Sequence, residues 1–258
     1  MDTLVPALKS HPLLSVLVFS LIFRGVHHLL RRLPTPKAVL QNDMRCWKWR
    51  NLSVSIVHSL LTSAWSLSCV VASPELLTNV HLSQTPMSYL LICLSTGYFV
   101  QDACDIILTG HARGSWEFLL HHAMVISCFL YALCTEVYIA GAVIALFVEV
   151  NSVTLHLRLM LKLANAQSSS LYCVNKYVNV VTYVLFRLGA QFYLTWYLFC
   201  NYSWLESVHF FLLCLILIDI MMLIYFRRLL LSDFYSDDKK SSMGQNGTCN
   251  NSRRFLTD

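Results

Sequence analysis

The chain has 258 residues, of which 56% are apolar and only 13% carry a formal charge, against roughly a quarter in an ordinary soluble domain. Eight glycines and six prolines are too few for the many turns of a transmembrane barrel, so the predicted fold class is an all-α membrane protein. Ten cysteines without a CxxC pair or a repeated spacing exclude a disulfide scaffold and a zinc module.

Seven apolar blocks predict about seven transmembrane helices, because about 20 helical residues are needed to cross the hydrocarbon core. The unbroken apolar core of the first block, 13–23, is followed by Arg24, His27 and His28 rather than by a small-residue cleavage site, so we expect an uncleaved anchor. In chain order the blocks are 13–30, 53–72, 87–108, 116–133, 137–157, 178–199 and 204–226.

The loops between these blocks differ sharply in basic charge. Sixteen of the 19 Lys and Arg residues fall in the first, third and fifth loops and in the C-terminal tail, whereas the second, fourth and sixth loops have none. The positive-inside rule therefore predicts an outer N-terminus and a cytosolic C-terminus. The same asymmetry accounts for the net charge of +5, so nucleic acid is not predicted as a partner.

Eight of the ionisable side chains inside the predicted spans are candidates for function, because each costs at least about 2.5 kcal/mol on insertion scales. At 1.5 Å per residue, all of them fall roughly 5 to 15 Å from the cytosolic ends of their helices. Six helices contribute to this layer, which predicts a cavity that faces the cytosol, and the first span is expected to pack outside the other six. The eight residues are His58, Asp102, Asp105, His121, His122, Glu149, Arg187 and Asp219.

Structural roles are open for several of these residues. Asp102 and Asp105 share one helix face and could cap a helix end or pair with Arg113. Arg187 is expected to neutralise an intramembrane acid, for which Asp219 is a candidate. A lone buried histidine such as His58 is expected to form an ordinary hydrogen bond within the core.

The adjacent pair His121 and His122 is the best candidate for function, because neighbours on a helix point about 100° apart and packing does not require both. A neutral imidazole can act as a general base or as a nucleophile toward an acyl thioester. Glu149 at the same depth could orient the ring or accept a proton. A metal site is not predicted, because the last span offers only Asp219 at this depth. A receptor is disfavoured, since its ligand cavity should open outward.

Three segments carry a resemblance to a known family: GYFVQDACDIIL, SWEFLLHHAM and ALFVEVNSVTLHLRLMLKLAN. They resemble the TLC domain family, which includes lipid-sensing proteins and ceramide synthases. The resemblance implies a TLC domain over 46–234, with six helices in a barrel around a lipid or acyl chain. The remainder is then an N-terminal anchor helix with a basic loop, 1–45, and a disordered cytosolic tail, 235–258.

In the ceramide synthases of this family, a His-His pair opens the signature motif and a His-Asp with a further Asp closes it. His121 and His122 match the opening, but the closing positions are Val148, Glu149 and Ser152. This departure argues against N-acylation of a sphingoid base.

The segments FRGVHHLLRRLPTP and WKWRNLSVSIVHS resemble one subgroup of the family. That resemblance implies a regulator of phospholipid acyl composition and membrane fluidity, which limits incorporation of long-chain polyunsaturated fatty acids and binds membrane phospholipid or an acyl chain. The alternatives are an acyltransferase that takes acyl-CoA as its substrate, with catalytic His121, His122 and Glu149, or a non-catalytic modulator of a membrane partner such as a calcium channel. No cofactor is expected. The expected location is the plasma membrane, with the endoplasmic reticulum as the alternative. The oligomeric state stays open.

Overall fold

The computed structural model describes residues 4–235, and that part of the chain contains helices and no strand. The predicted tail lies almost wholly outside the described residues. The α-helices are α1 (Leu4–Ser10), α2 (Pro12–Leu30), α3 (Asp43–Ala72), α4 (Glu75–Thr78), α5 (Pro86–Leu108), α6 (Trp116–Thr135), α7 (Ile139–Ala145), α8 (Val148–Leu163), α9 (Ser170–Thr182), α10 (Gly189–Cys200) and α11 (Val208–Leu230).

Six helical segments of the described chain are long and apolar enough to cross a membrane, which confirms the all-α membrane fold. The predicted span 178–199 falls in a helical run whose middle, Tyr183–Leu188, is a π-helix between α9 and α10. Neither α-helix of that run reaches spanning length alone. The six segments are Pro12–Leu30, Asp43–Ala72, Pro86–Leu108, Ala112–Thr135, Ile139–Leu163 and Val208–Phe234.

The chain divides into two compact units, Met1–Asp219 and Ile220–Asp258. The first unit holds α1 to α10 and the beginning of α11. In its described part, the second unit holds the rest of α11 and a π-helix, Leu231–Tyr235. All the contacts described below lie in the first unit.

The first span, α2, packs closely against α5. A Cβ atom at Gly97 of α5 would lie 2.5 Å from Phe19 Cβ and 2.8 Å from the Ser20 backbone nitrogen. Only a glycine permits this approach. The side chains of Phe23 and His27 of α2 are buried.

Small hydroxyl residues bring α3 against α8. Ser55, Ser59, Thr62 and Ser66 recur at helical spacing on α3 and are all buried. Small side chains of this kind let two membrane helices approach closely, and their hydroxyl groups can bond across the interface. This face of α3 positions part of the candidate site.

Two helix irregularities lie beside the candidate site. The predicted span 137–157 is broken between α7 and α8, so that Glu149 becomes the second residue of α8. The π-helix between α9 and α10 carries Arg187. Single-turn π-helical segments are frequently found at functional sites.

Candidate functional site

His122 of α6 contacts Asp102 of α5 inside the helical unit, where both side chains are almost fully buried. Its Nδ1 atom lies 2.8 Å from the Phe118 carbonyl oxygen, which can only accept a hydrogen bond, so Nδ1 carries a proton. Its Nε2 atom lies 3.0 Å from Asp102 Oδ2, although off hydrogen-bond alignment.

Asn51 of α3 completes this part of the site. Its Nδ2 atom donates to Asp102 Oδ1 over 2.5 Å, so that three helices meet at one carboxyl group. Both ring nitrogens of His122 already face protein oxygen atoms. The hydrogen bond at Nδ1 holds the imidazole in place, while Nε2 faces the Asp102 carboxyl group without a hydrogen bond.

Glu149 lies at the start of α8, where the positive end of the helix dipole favours a carboxylate. Ser59 Oγ donates to Glu149 Oε2 over 2.5 Å, and His58 Nδ1 lies 3.8 Å from the same oxygen. The Glu149 side chain is 8% exposed. The carboxyl group is therefore held between α3 and α8 by the Ser59 hydroxyl group and lies near the His58 imidazole.

His58 does not form the hydrogen bond that was expected of it. Its side chain is fully buried, and neither ring nitrogen has a hydrogen-bond partner among the described residues. The ring stacks instead on Tyr98, with a centroid distance of 3.8 Å and an interplanar angle of 12°. An unsatisfied buried polar atom costs about 1 to 3 kcal/mol, which makes His58 a candidate contact for a polar ligand group.

Arg187 binds neutral oxygen atoms rather than an acid, so the expectation of an ion pair is wrong. Its Nε donates to Asn151 Oδ1 over 2.9 Å and its Nη2 donates to Ser152 Oγ over 2.8 Å. None of the carboxylates in residues 4–235 lies within ion-pair distance of its guanidinium group. Asn151 also donates to Asn179 Oδ1, which turns its own oxygen toward Arg187.

Asp105 and Asp219 lie apart from these residues. Asp105 pairs with Arg24 and His27 of α2, at 3.5 and 3.4 Å, and not with Arg113. Asp219 accepts from Thr195 Oγ1 over 2.7 Å rather than pairing with Arg187. The expected roles of these two acids are therefore wrong.

His121 is half-buried, and its ring lies edge-on to that of His122, with a centroid distance of 5.9 Å and an interplanar angle of 83°. No hydrogen bond to its imidazole occurs among the described residues. Of the two adjacent histidines, His121 is the one with neither ring nitrogen hydrogen-bonded to a described residue.

Sequence reasoning missed His156, which lies on α8 within electrostatic range of His58, Asp102 and Arg187. The signal was present, because Glu149, Ser152 and His156 are spaced three and four residues apart and share one helix face. The neutral partners carried no such signal, since serine and asparagine are common on helices in every environment.

The structure brings together seven ionisable residues from α3, α5, α6, α8 and the π-helix, and we call this set the polar core. Across residues 4–235, no three His, Cys, Asp or Glu side chains are arranged to hold a metal ion. The members of the polar core are His58, Asp102, His121, His122, Glu149, His156 and Arg187.

These features define a class of protein: a membrane-embedded helical protein whose buried polar core is assembled from several helices. Residues 48–231 match the family profile described as the TLC domain. The chain belongs to the TLC domain family.

Three relatives illustrate this membership. The chain is 43% identical to human TLC domain-containing protein 1, over 82% of this chain and 86% of the relative. It is 40% identical to TLC domain-containing protein 2 of Danio rerio, over 69% and 72% of the two chains. It is 33% identical to human TLC domain-containing protein 2, over 69% and 67%.

Proposed function

We propose that the protein is a multi-pass membrane regulator of phospholipid acyl composition and membrane fluidity, which limits the incorporation of long-chain polyunsaturated fatty acids. The observation that carries this proposal is the polar core, because ionisable groups inside a membrane domain are costly and mark function. A ligand that approaches such a core from within the bilayer is a lipid. Membership of the TLC domain family supports the same ligand class.

The contacts of the polar core favour a binding role. His122 is hydrogen-bonded at Nδ1 to the Phe118 carbonyl oxygen, and Glu149 accepts a hydrogen bond from Ser59, so both side chains already have protein partners. His121 and His58 keep ring nitrogens free for a lipid headgroup or an acyl carbonyl. On this proposal the polar core recognises an acyl lipid without reacting with it.

An acyltransferase is the second candidate, and the free ring of His121 favours it. In this reaction, the imidazole removes a proton from an acceptor or attacks the thioester of acyl-CoA, and Glu149 assists. The third candidate is a non-catalytic modulator of a membrane partner. On this hypothesis, loss of the protein would leave the lipid composition of the cell unchanged. The proposed site of action is the plasma membrane, with the endoplasmic reticulum as the alternative, and surface biotinylation distinguishes the two.

The test is a lipidomics comparison of cells with and without the protein after feeding with polyunsaturated fatty acid. Loss of the protein should increase polyunsaturated phospholipids and membrane fluidity, while ceramide acyl profiles change little. Altered ceramides with unchanged phospholipids would contradict the proposal. Unchanged lipids of both kinds would favour the modulator of a partner.

Variants of His121 separate the binder from the enzyme in the same cells. His121→Gln keeps hydrogen-bonding groups but cannot act as base or nucleophile, so a binder should retain most of the lipid phenotype and an enzyme should lose it. His121→Ala should weaken both. His11→Gln, an exposed histidine at the start of α2, is the matched control. Labelled acyl-CoA incubated with purified protein then tests transfer directly.

A further inference from the structure

A cavity of about 400 Å³ opens between α2, α3 and α5, at the end of these helices predicted to be cytosolic. The lining residues Arg24 and His27 of α2 and Arg31, which caps its C-terminal end in a helical conformation, are spaced three and four residues apart, so they share one face. On α3, Trp47 and Arg50 are spaced in the same way. The two helices therefore direct three guanidinium groups into one space.

Asp105 lies at the inner end of this cavity and has its own partners. Arg24 Nη1 and His27 Nδ1 lie 3.5 and 3.4 Å from its Oδ1, and Trp47 Nε1 donates to its Oδ2 over 3.2 Å. This carboxylate is therefore already compensated by Arg24, and it does not need the other two arginines.

The guanidinium groups of Arg31 and Arg50 form no hydrogen bond or ion pair with any residue in 4–235. The cavity lining contains three arginines and two aspartates, Asp43 and Asp105, so its formal charge is +1 with a neutral His27. A guanidinium group presents a planar fork of donors that matches the oxygen atoms of a phosphate group. The positive-inside rule explains basic loops, but it does not explain why two unpaired arginines converge on one cavity.

We propose that this cavity binds the phosphate group of a phospholipid headgroup, with Arg31 and Arg50 as its ligands. Trp47 beside them is a residue typical of the membrane interface, the depth at which headgroup phosphates lie. A soluble phosphate ester offers the same chemistry, and the experiment separates the two sources. The inference goes beyond the proposed function, because it uses none of the residues of the polar core.

The experiment uses the full chain in nanodiscs of phosphatidylcholine with a minor fraction of phosphatidic acid. Native mass spectrometry measures how much phosphatidic acid stays bound after release from the nanodisc. The double variant R31Q/R50Q should retain about tenfold less phosphatidic acid than the unmodified protein, since two charge-assisted hydrogen-bonding groups are lost. The control R32Q/K48Q removes the same charge from exposed neighbours that do not line the cavity, and should retain the lipid.

Three outcomes would overturn the inference. Equal losses in both double variants would show that general surface charge holds the lipid. If the unmodified protein retained no phosphatidic acid, the cavity would not be a binding site for this lipid. Displacement of all bound lipid by glycerol 3-phosphate, with specific retention of that ester, would assign the cavity to a soluble ligand. H121Q changes the polar core but not the cavity, so this variant should retain phosphatidic acid. The two proposals can therefore fail independently of each other.

Discussion

The charged groups of the polar core are held mostly by neutral partners. Asp102 accepts from Asn51, Glu149 accepts from Ser59, and Arg187 donates to Asn151. A neutral partner satisfies a buried charge without adding a second one, which limits the cost of desolvation. Each of these small polar residues therefore contributes more to stability than its size suggests, because its removal takes a hydrogen bond away from a buried ionisable group.

Ser59→Ala should destabilise the protein by about 1 to 3 kcal/mol, because the buried Glu149 carboxyl group loses its hydroxyl donor. Unfolding by SDS titration in mild detergent measures the change. Ser66→Ala is the matched control, since Ser66 is equally buried on the same helix but bonds only to the Ser63 carbonyl group. Equal destabilisation by the two variants would contradict a special role for Ser59.

A second residue-scale prediction concerns pH and the loop after α6. Glu136 accepts from Lys9 Nζ and from Gln84 Nε2, and the hydrogen bond from Lys9 lowers the pKa of its carboxyl group. A lowered folded pKa means that the carboxylate stabilises the fold above its unfolded pKa of about 4.3, and that this contribution is lost as pH falls through the folded value.

Glu136→Gln should therefore lower the melting temperature at pH 7 and have no effect once the pH is well below about 4. The side chain is 42% exposed, so the loss should be less than about 1 kcal/mol. Differential scanning fluorimetry across this pH range measures the difference. A difference between the two proteins that grows as the pH falls would contradict the assignment.

At the scale of helices, α2 is fixed to α5 by a close backbone approach and by a charged contact. Gly97 brings the helices together in the apolar region, and Asp105 of α5 meets Arg24 and His27 of α2 near the predicted cytosolic end. The helix that resembles a simple anchor in the sequence is therefore a packed part of the first unit.

Gly97→Ala should disrupt the packing of α2 on α5, because the added Cβ would lie 2.8 Å from the Ser20 backbone nitrogen, which cannot move without the helix. We expect a loss of at least about 3 kcal/mol, at the upper end of overpacking effects. Gly25→Ala adds the same methyl group to α2 in open space and should be neutral or stabilising. Protease resistance in detergent distinguishes the two variants. Equal resistance would contradict the close approach.

The sequence predicted the spans well, because the length and hydropathy of a membrane helix depend only on the residues of that helix. It did not predict the break before Glu149 or the π-helix at Arg187, because both depend on contacts with other helices. The pairing of Asp105 with α2 was missed for the same reason. Depth along a helix can be counted from sequence, whereas the direction of a side chain around the helix depends on its neighbours.

For the whole molecule, the basic loops predict that the two termini lie on opposite sides of the membrane, with the C-terminus cytosolic. Epitope tags at the two ends should therefore differ in their access to antibody without permeabilisation. Both tags accessible in intact cells would contradict this topology. The sequon at 51–53 should stay unmodified in this topology, because the first loop is then cytosolic.

The contact at Gly97 also constrains the order of events during synthesis. The ribosome releases α2 before α5, so the first helix enters the bilayer while the surface that receives Phe19 does not yet exist. Arg24 has no acidic partner at that stage, since Asp105 belongs to the later helix. The packing of α2 described here can therefore form only after α3 and then α5 have been inserted, because both its close backbone approach and the partner of Arg24 lie on α5.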